Sequence, residues 1–96
     1  MDRVAWIRDT LSQTFAPAHL QVDDDSAKHA GHAGARGGGG HYNVLIVSEV
    51  FVGLDLVTRQ RRVYAALGDA MRSEIHALAL RTLTPAEWGR PHAPTN

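Results

Sequence analysis

The chain has 96 residues, 44% of them hydrophobic, and a formal net charge of zero at pH 7. This length suffices for one small domain and is too short for two. The zero charge excludes a global field that would attract nucleic acid or an anionic membrane, and the absence of cysteine excludes disulfides and sites built only from thiolates.

The first half of the chain predicts one helix and two strands. Apolar residues recur at helical spacing over residues 2–15, with Asp2 as the N-cap and Pro17 just beyond the end. Residues 19–23 alternate in polarity and predict a short strand. The β-branched and aromatic run of residues 42–51 predicts a second, stronger strand. The two strands are expected to form an antiparallel hairpin with a long connection.

That connection, residues 26–40, is small, polar and rich in glycine. It cannot bury enough apolar surface to offset the entropy of ordering it, so we expect it to be mobile. It contains His29 and His32, and His41 follows at the start of the second strand.

The second helix is predicted to begin at Asp55, which can serve as its N-cap. Val63, Leu67 and Met71 recur every four residues along it. Gly68 weakens a helix by about 1 kcal/mol relative to alanine, so we expect the helix to bend or break there.

A third strand is predicted over residues 75–83. Because side chains alternate between the two faces of a strand, His76, Leu78 and Leu80 are expected to share one face.

The chain then begins a short helix. Thr84 and Glu87 have the spacing of a capping box, and the helix should last about one turn. We expect one domain, residues 1–89, and a flexible C-terminal tail, residues 90–96. The order αββαβα, with a right-handed strand–helix–strand crossover, predicts an α+β domain: a three-stranded mixed sheet with helices on one face.

The second half of the chain resembles the BolA family. The segments FVGLDLVTRQRRVYAAL and SEIHALALRTLTPAEW carry the family's Phe-x-Gly, Arg-x-Arg, Val-Tyr, His-Ala-Leu-Ala and Thr-x-x-Glu-Trp features. These features fall on Phe51, Gly53, Arg59, Arg61, Val63, Tyr64, His76 to Ala79, Thr84, Glu87 and Trp88. The resemblance covers roughly residues 3–89 and implies a class II KH-like fold. One departure is Gln60, where the family usually has histidine.

The resemblance also implies a function. Members of the family pair with monothiol glutaredoxins of the Cys-Gly-Phe-Ser type, and the two proteins share a [2Fe–2S] cluster together with glutathione. The family is further linked to iron homeostasis, to stress-related cell shape in bacteria, and to transcriptional regulation through DNA. Such a cluster needs four donors, and this chain has no thiolate, so it would contribute imidazoles from one side.

Two histidines are candidate ligands on this resemblance. The family's C-terminal ligand falls on His76 and its loop ligand on His29, with His32 and His41 as less favoured substitutes. The alternatives are a packed core histidine at position 76 and a solvated loop histidine at position 29. A mononuclear zinc or copper site built from His29, His32 and His41 lacks the spacing of a tight motif, and the glycines make its preorganisation poor.

A second candidate surface contains Arg59, Arg61, Arg62 and Tyr64. Arginines at the start of a helix can contact phosphates, although a solvated basic stripe is the alternative. A KH-type RNA site needs a GxxG loop between two helices, whereas the matches in this chain lie between strands. DNA-binding regulation is therefore the runner-up function. For a glutaredoxin complex, we expect the arginines to form one partner surface together with His76 and the connection.

Other classes are less favoured. No nucleophile–base pair or pair of carboxylates indicates an enzyme, and a pure interaction module with idle histidines stays open. The apolar runs are too short to span a bilayer. The composition fits a cytoplasmic protein or the mature form of an organellar one, and we expect the free protein to be a monomer.

Overall fold

The computed structural model describes residues 2–25, 40–73 and 75–89. Its elements follow the predicted order, with a 3-10 turn and a one-turn helix added on either side of the second long helix. They are α1 (Arg3–Phe15), β1 (His19–Asp24), β2 (Gly40–Val47), a 3-10 turn (Glu49–Phe51), α2 (Leu56–Leu67), α3 (Ala70–Ser73), β3 (Ile75–Leu83) and α4 (Pro85–Gly89).

The three strands form one mixed sheet in the order β1-β2-β3. β1 is antiparallel to β2, and β3 is parallel to β2, as the hairpin and the crossover predict. The hydrophobic core lies between one sheet face and the long helices, and it includes Ile7, Leu11, Phe15, Val22, Val44, Ile46, Phe51, Val63 and Leu67. Alternate residues on the other face, such as Gln21, Asp23, Ala79 and Arg81, are exposed. The predicted α+β architecture is confirmed.

The long helices begin and end at residues that the sequence identifies. The Asp2 carboxylate accepts the N–H of Ala5 at 3.2 Å, and the Asp55 carboxylate accepts the N–H of Thr58 at 2.8 Å. Gly68 ends α2 with a φ of +56°, a conformation that glycine adopts without a steric penalty. The predicted break at Gly68 is therefore confirmed.

β2 ends at Val47, so the prediction of a strand through residue 51 is wrong. The Ser48 hydroxyl accepts the N–H of Val50 at 3.1 Å and donates to the carbonyl of Phe15 at 2.7 Å. These hydrogen bonds turn the chain out of the sheet and into the 3-10 turn. The turn buries Phe51 completely, with its ring centroid 5.3 Å from that of Phe15.

Candidate functional site

The long connection leaves and re-enters the fold beside the start of β3. Asp25 is the last residue before it, and its final residue, Gly40, is the first residue of β2. Gly40 pairs with Ile75, the first residue of β3. His76 is the next residue of that strand, so its main chain lies where the connection begins and ends. The His76 side chain lies outside what the structure describes.

The predicted ligands fall partly within the described residues. His41 pairs with the residue after His76, so the main chains of the two histidines lie on adjacent strands about 5 Å apart. The His41 side chain is half-buried and lines a cavity of about 190 Å³. His29 and His32 lie outside the described residues, and their roles stay predictions.

β3 contains one extra residue at this end. Gly40 pairs with Ile75, whereas His41 pairs with Ala77, so the register shifts by one between the two pairs. The residue left over is His76. An extra residue of this kind is a β-bulge, which bends a strand and is over-represented beside functional sites.

Both ends of the connection are fixed by contacts among described residues. The Asp25 N–H donates to the carbonyl of His41 at 2.7 Å, and the Asn43 amide donates to the Asp25 carboxylate. At the other end, the Tyr42 ring is buried and lies over Gly40. These contacts are not among those predicted from the sequence. The signal for one of them is a glycine two residues before a tyrosine, which places both on one face of the strand.

Arg59 lies at the opposite end of the sheet, where the first turn of α2 packs against the end of β3. Its guanidinium donates to the carbonyl of Thr82 at 3.1 Å and to the Glu87 carboxylate at 2.8 and 3.3 Å, and Nε donates to the carbonyl of Leu54 at 2.9 Å. Arg59 is only 7% exposed. It therefore does not belong to a binding surface, and that prediction is corrected.

Glu87 fixes α4 to the rest of the fold. The Thr84 N–H donates to Glu87 at 2.8 Å and the Thr84 hydroxyl accepts the Glu87 N–H at 3.1 Å, which confirms the capping box. Hydrogen bonds from Arg59 and from Thr84 lower the pKa of Glu87 to about 2. The next residue, Trp88, stacks on the ring of His19 with 4.9 Å between centroids. Because α4 has no buried residue, these contacts hold it in place.

The other members of the predicted arginine surface are exposed. Arg61 and Arg62 point outward from α2, and Tyr64 is 37% exposed. Val57, Arg61 and Tyr64 recur at spacings of four and three residues, which places them on one stripe of the helix. The first turn of α2 packs at Thr82, about 20 Å along β3 from His76. The expectation of one partner surface that joins Arg61, Arg62, His76 and the connection stays a prediction.

Comparison with known proteins decides the family. The family model described as BolA-like protein matches residues 11–87. The chain belongs to the BolA family. A solved structure of BolA1 from Arabidopsis thaliana superposes with a TM-score of 0.79 and 38% identity, covering 95% of this chain and 98% of that one.

Two relatives show how varied the proteins similar to this BolA-family chain are. SufE-like protein 1, chloroplastic/mitochondrial, from Arabidopsis thaliana is 44% identical over 86 residues, or 84% of this chain and 23% of the relative. DNA-binding transcriptional regulator BolA from Escherichia coli is 37% identical over 82 residues, or 85% of this chain and 75% of the relative.

The chain spans only part of the plant relatives it matches, 23% of SufE-like protein 1 and 56% of a second BolA-family protein. Relatives of this BolA-family chain include organellar plant proteins and a bacterial regulator. Within the described part of the chain, no helix has the length and apolar character needed to cross a membrane.

Proposed function

We propose that this chain is a non-enzymatic accessory protein that pairs with a monothiol glutaredoxin and co-ligates a [2Fe–2S] cluster through histidines. Its role would be iron–sulfur cluster trafficking or the sensing of iron or stress. The observation that supports this proposal is the arrangement at the start of β3. The main chain of His76 and both ends of the connection that carries His29 lie together there.

The donor chemistry of the chain fits one side of such a cluster. With no cysteine, the chain can offer neutral imidazoles and no thiolates. His76 and one histidine of the connection would bind one iron, which leaves the other iron to a cysteine of the partner and the thiol of glutathione. Mixed His/Cys ligation gives a one-electron centre with a higher potential than four thiolates provide.

The described residues around His76 would not bind the cluster themselves. They hold the two ends of the connection in place. The Asn43–Asp25 hydrogen bond anchors the outgoing end, and the Tyr42 ring packs over Gly40 at the returning end. A segment whose two ends are fixed can adopt fewer conformations than one with a free end, so less entropy is lost when a partner binds it.

Anaerobic titration into a [2Fe–2S]-loaded monothiol glutaredoxin with glutathione tests the proposal. We expect the visible absorption and circular dichroism to change to a new form that saturates near one equivalent, because imidazoles would replace other donors on one iron. Calorimetric titration into the cluster-free glutaredoxin measures protein binding separately.

The two measurements together distinguish the outcomes. Binding without a spectral change would contradict cluster ligation and leave an interaction module. If neither binding nor a spectral change occurs, pairing with glutaredoxin is refuted as well.

A second candidate function is DNA binding through α2. Arg61, Arg62 and Tyr64 are exposed, and one relative is named as a DNA-binding transcriptional regulator. Guanidinium groups can contact phosphates, and an exposed aromatic ring can stack on a base. Such local contacts do not require a net positive charge on the whole chain, whose formal charge is zero.

The double substitution Arg61→Ala, Arg62→Ala tests DNA binding. Each lost phosphate contact should reduce the slope of log K against log salt concentration by about 0.9, so we expect a decrease of about 1.8. Fluorescence anisotropy of a labelled duplex at several salt concentrations measures this slope. Arg81→Ala is the matched control, because Arg81 is exposed on the uncovered sheet face. An equal slope in the double variant and the native chain would rule out this surface.

A further inference from the structure

Gly40 and Tyr42 form a packed pair at the start of β2. They are two residues apart in a strand, so both lie on the core face. Tyr42 is only 3% exposed, and its ring carbons and hydroxyl lie so close above Gly40 that a Cβ at position 40 would overlap with them. The position of the ring therefore requires glycine at residue 40.

This pair lies opposite the bulge in β3. Gly40 pairs with Ile75, and Tyr42 pairs with Leu78. In a regular ladder the two partners would be two residues apart, but here they are three apart. Both nevertheless belong on the core side, since Ile75 is 3% exposed and Leu78 packs against the core. The bulge at His76 allows both residues to reach the core.

We propose that Gly40 and Tyr42 are positioning residues for His76. Their contact fixes the register at the start of the β2–β3 ladder, and that register makes His76 the extra residue. A slip of one residue would move the start of β3 to the other face of the sheet. This inference rests on the proposed function, in which His76 is a cluster ligand.

Gly40→Ala tests the inference in the partner-free protein. The added methyl group should displace the Tyr42 ring or shift the strand, so the backbone amide and imidazole NMR resonances of His76 should move. His19 lies at the other end of the hairpin, paired with Val47, and its resonances should stay in place.

Matched variants separate this effect from a general effect of glycine substitution. Gly89→Ala is the control, because a Cβ at Gly89 would meet no atom within 4 Å, and it should leave the His76 resonances unchanged. If Gly40→Ala does not fold, Tyr42→Leu alone should displace the same resonances, since it removes the packing partner without adding an atom.

The cluster provides a second readout. In the titration with loaded glutaredoxin, Gly40→Ala should change the visible circular dichroism of the shared form, and Gly89→Ala should not. Unchanged His76 resonances in Gly40→Ala, or in Tyr42→Leu if only that variant folds, would overturn the positioning role. Displaced resonances in a protein whose native form gives no spectral change would support the positioning role and overturn the cluster function.

Discussion

Replacing His76 with alanine is expected to abolish the spectral change that the native chain produces in a [2Fe–2S]-loaded glutaredoxin. Alanine has no donor atom, and the chain has no cysteine that could take its place. Visible circular dichroism during anaerobic titration measures the effect. His19→Ala is the matched control, because His19 lies at the other end of β1 and stacks on Trp88.

The connection provides the complementary variants. His29→Ala is expected to weaken the shared form, and His32, three residues further on, can partly replace it. The double substitution of His29 and His32 should therefore have a larger effect than the single one. A native spectrum in the double variant would exclude a ligand from the connection, whereas a native spectrum in His76→Ala would exclude the C-terminal ligand.

Replacing Arg59 with alanine is expected to lower the free energy of unfolding by about 2–4 kcal/mol. The substitution leaves the carbonyls of Leu54 and Thr82 without their donor and removes the charged partner of Glu87. Urea denaturation at pH 7 measures the change. Arg61→Ala is the control, because Arg61 is exposed, and it should stay within about 0.5 kcal/mol of the native chain.

The pH dependence isolates the ionic part of this network. The pKa of Glu87 is lowered from 4.5 to about 2, so its contribution is fully present above the unfolded value and is lost as the pH falls toward 2. Because the Glu87 side chain is 33% exposed, Glu87→Gln should cost only about 1 kcal/mol at pH 7. The difference between the two proteins should shrink as the pH falls below about 4.5 and should be largely lost at about pH 2. An equal difference at both pH values would show that Glu87 acts through shape alone.

The role of Arg59 shows what helical periodicity can predict. Val63 and Leu67 identify the buried stripe of α2, and one step of four residues back along it reaches Arg59. Arg59 was predicted to share a surface with Arg61 and Arg62 because the three residues are neighbours in the chain. A helix turns about 100° per residue, so Arg59 and Arg61 point to nearly opposite sides. The four-residue spacing from Val63 and Leu67 therefore predicts that Arg59 is buried. A charged residue on a buried stripe in turn predicts a partner inside the fold.

The bulge, in contrast, has no local signal. The bounds predicted for β3 are confirmed, but the prediction that His76 shares a face with Leu78 and Leu80 assumes strict alternation, which the bulge interrupts. The interruption arises from pairing with Gly40, which is distant in sequence. Contacts between distant segments decide such registers, and periodicity within one strand does not report them.

The fixed ends of the connection have a consequence for how this fold tolerates change. Asp25 is held by Asn43, and Gly40 is held under Tyr42, so contacts among the described residues fix both ends of the connection. For a flexible loop, closure entropy grows only with the logarithm of length, and doubling the length costs about 0.6 kcal/mol. Insertions, deletions and exchanged donor residues between Asp25 and Gly40 should therefore leave the sheet folded. A ligating residue on this segment can thus be exchanged for another without loss of stability of the domain.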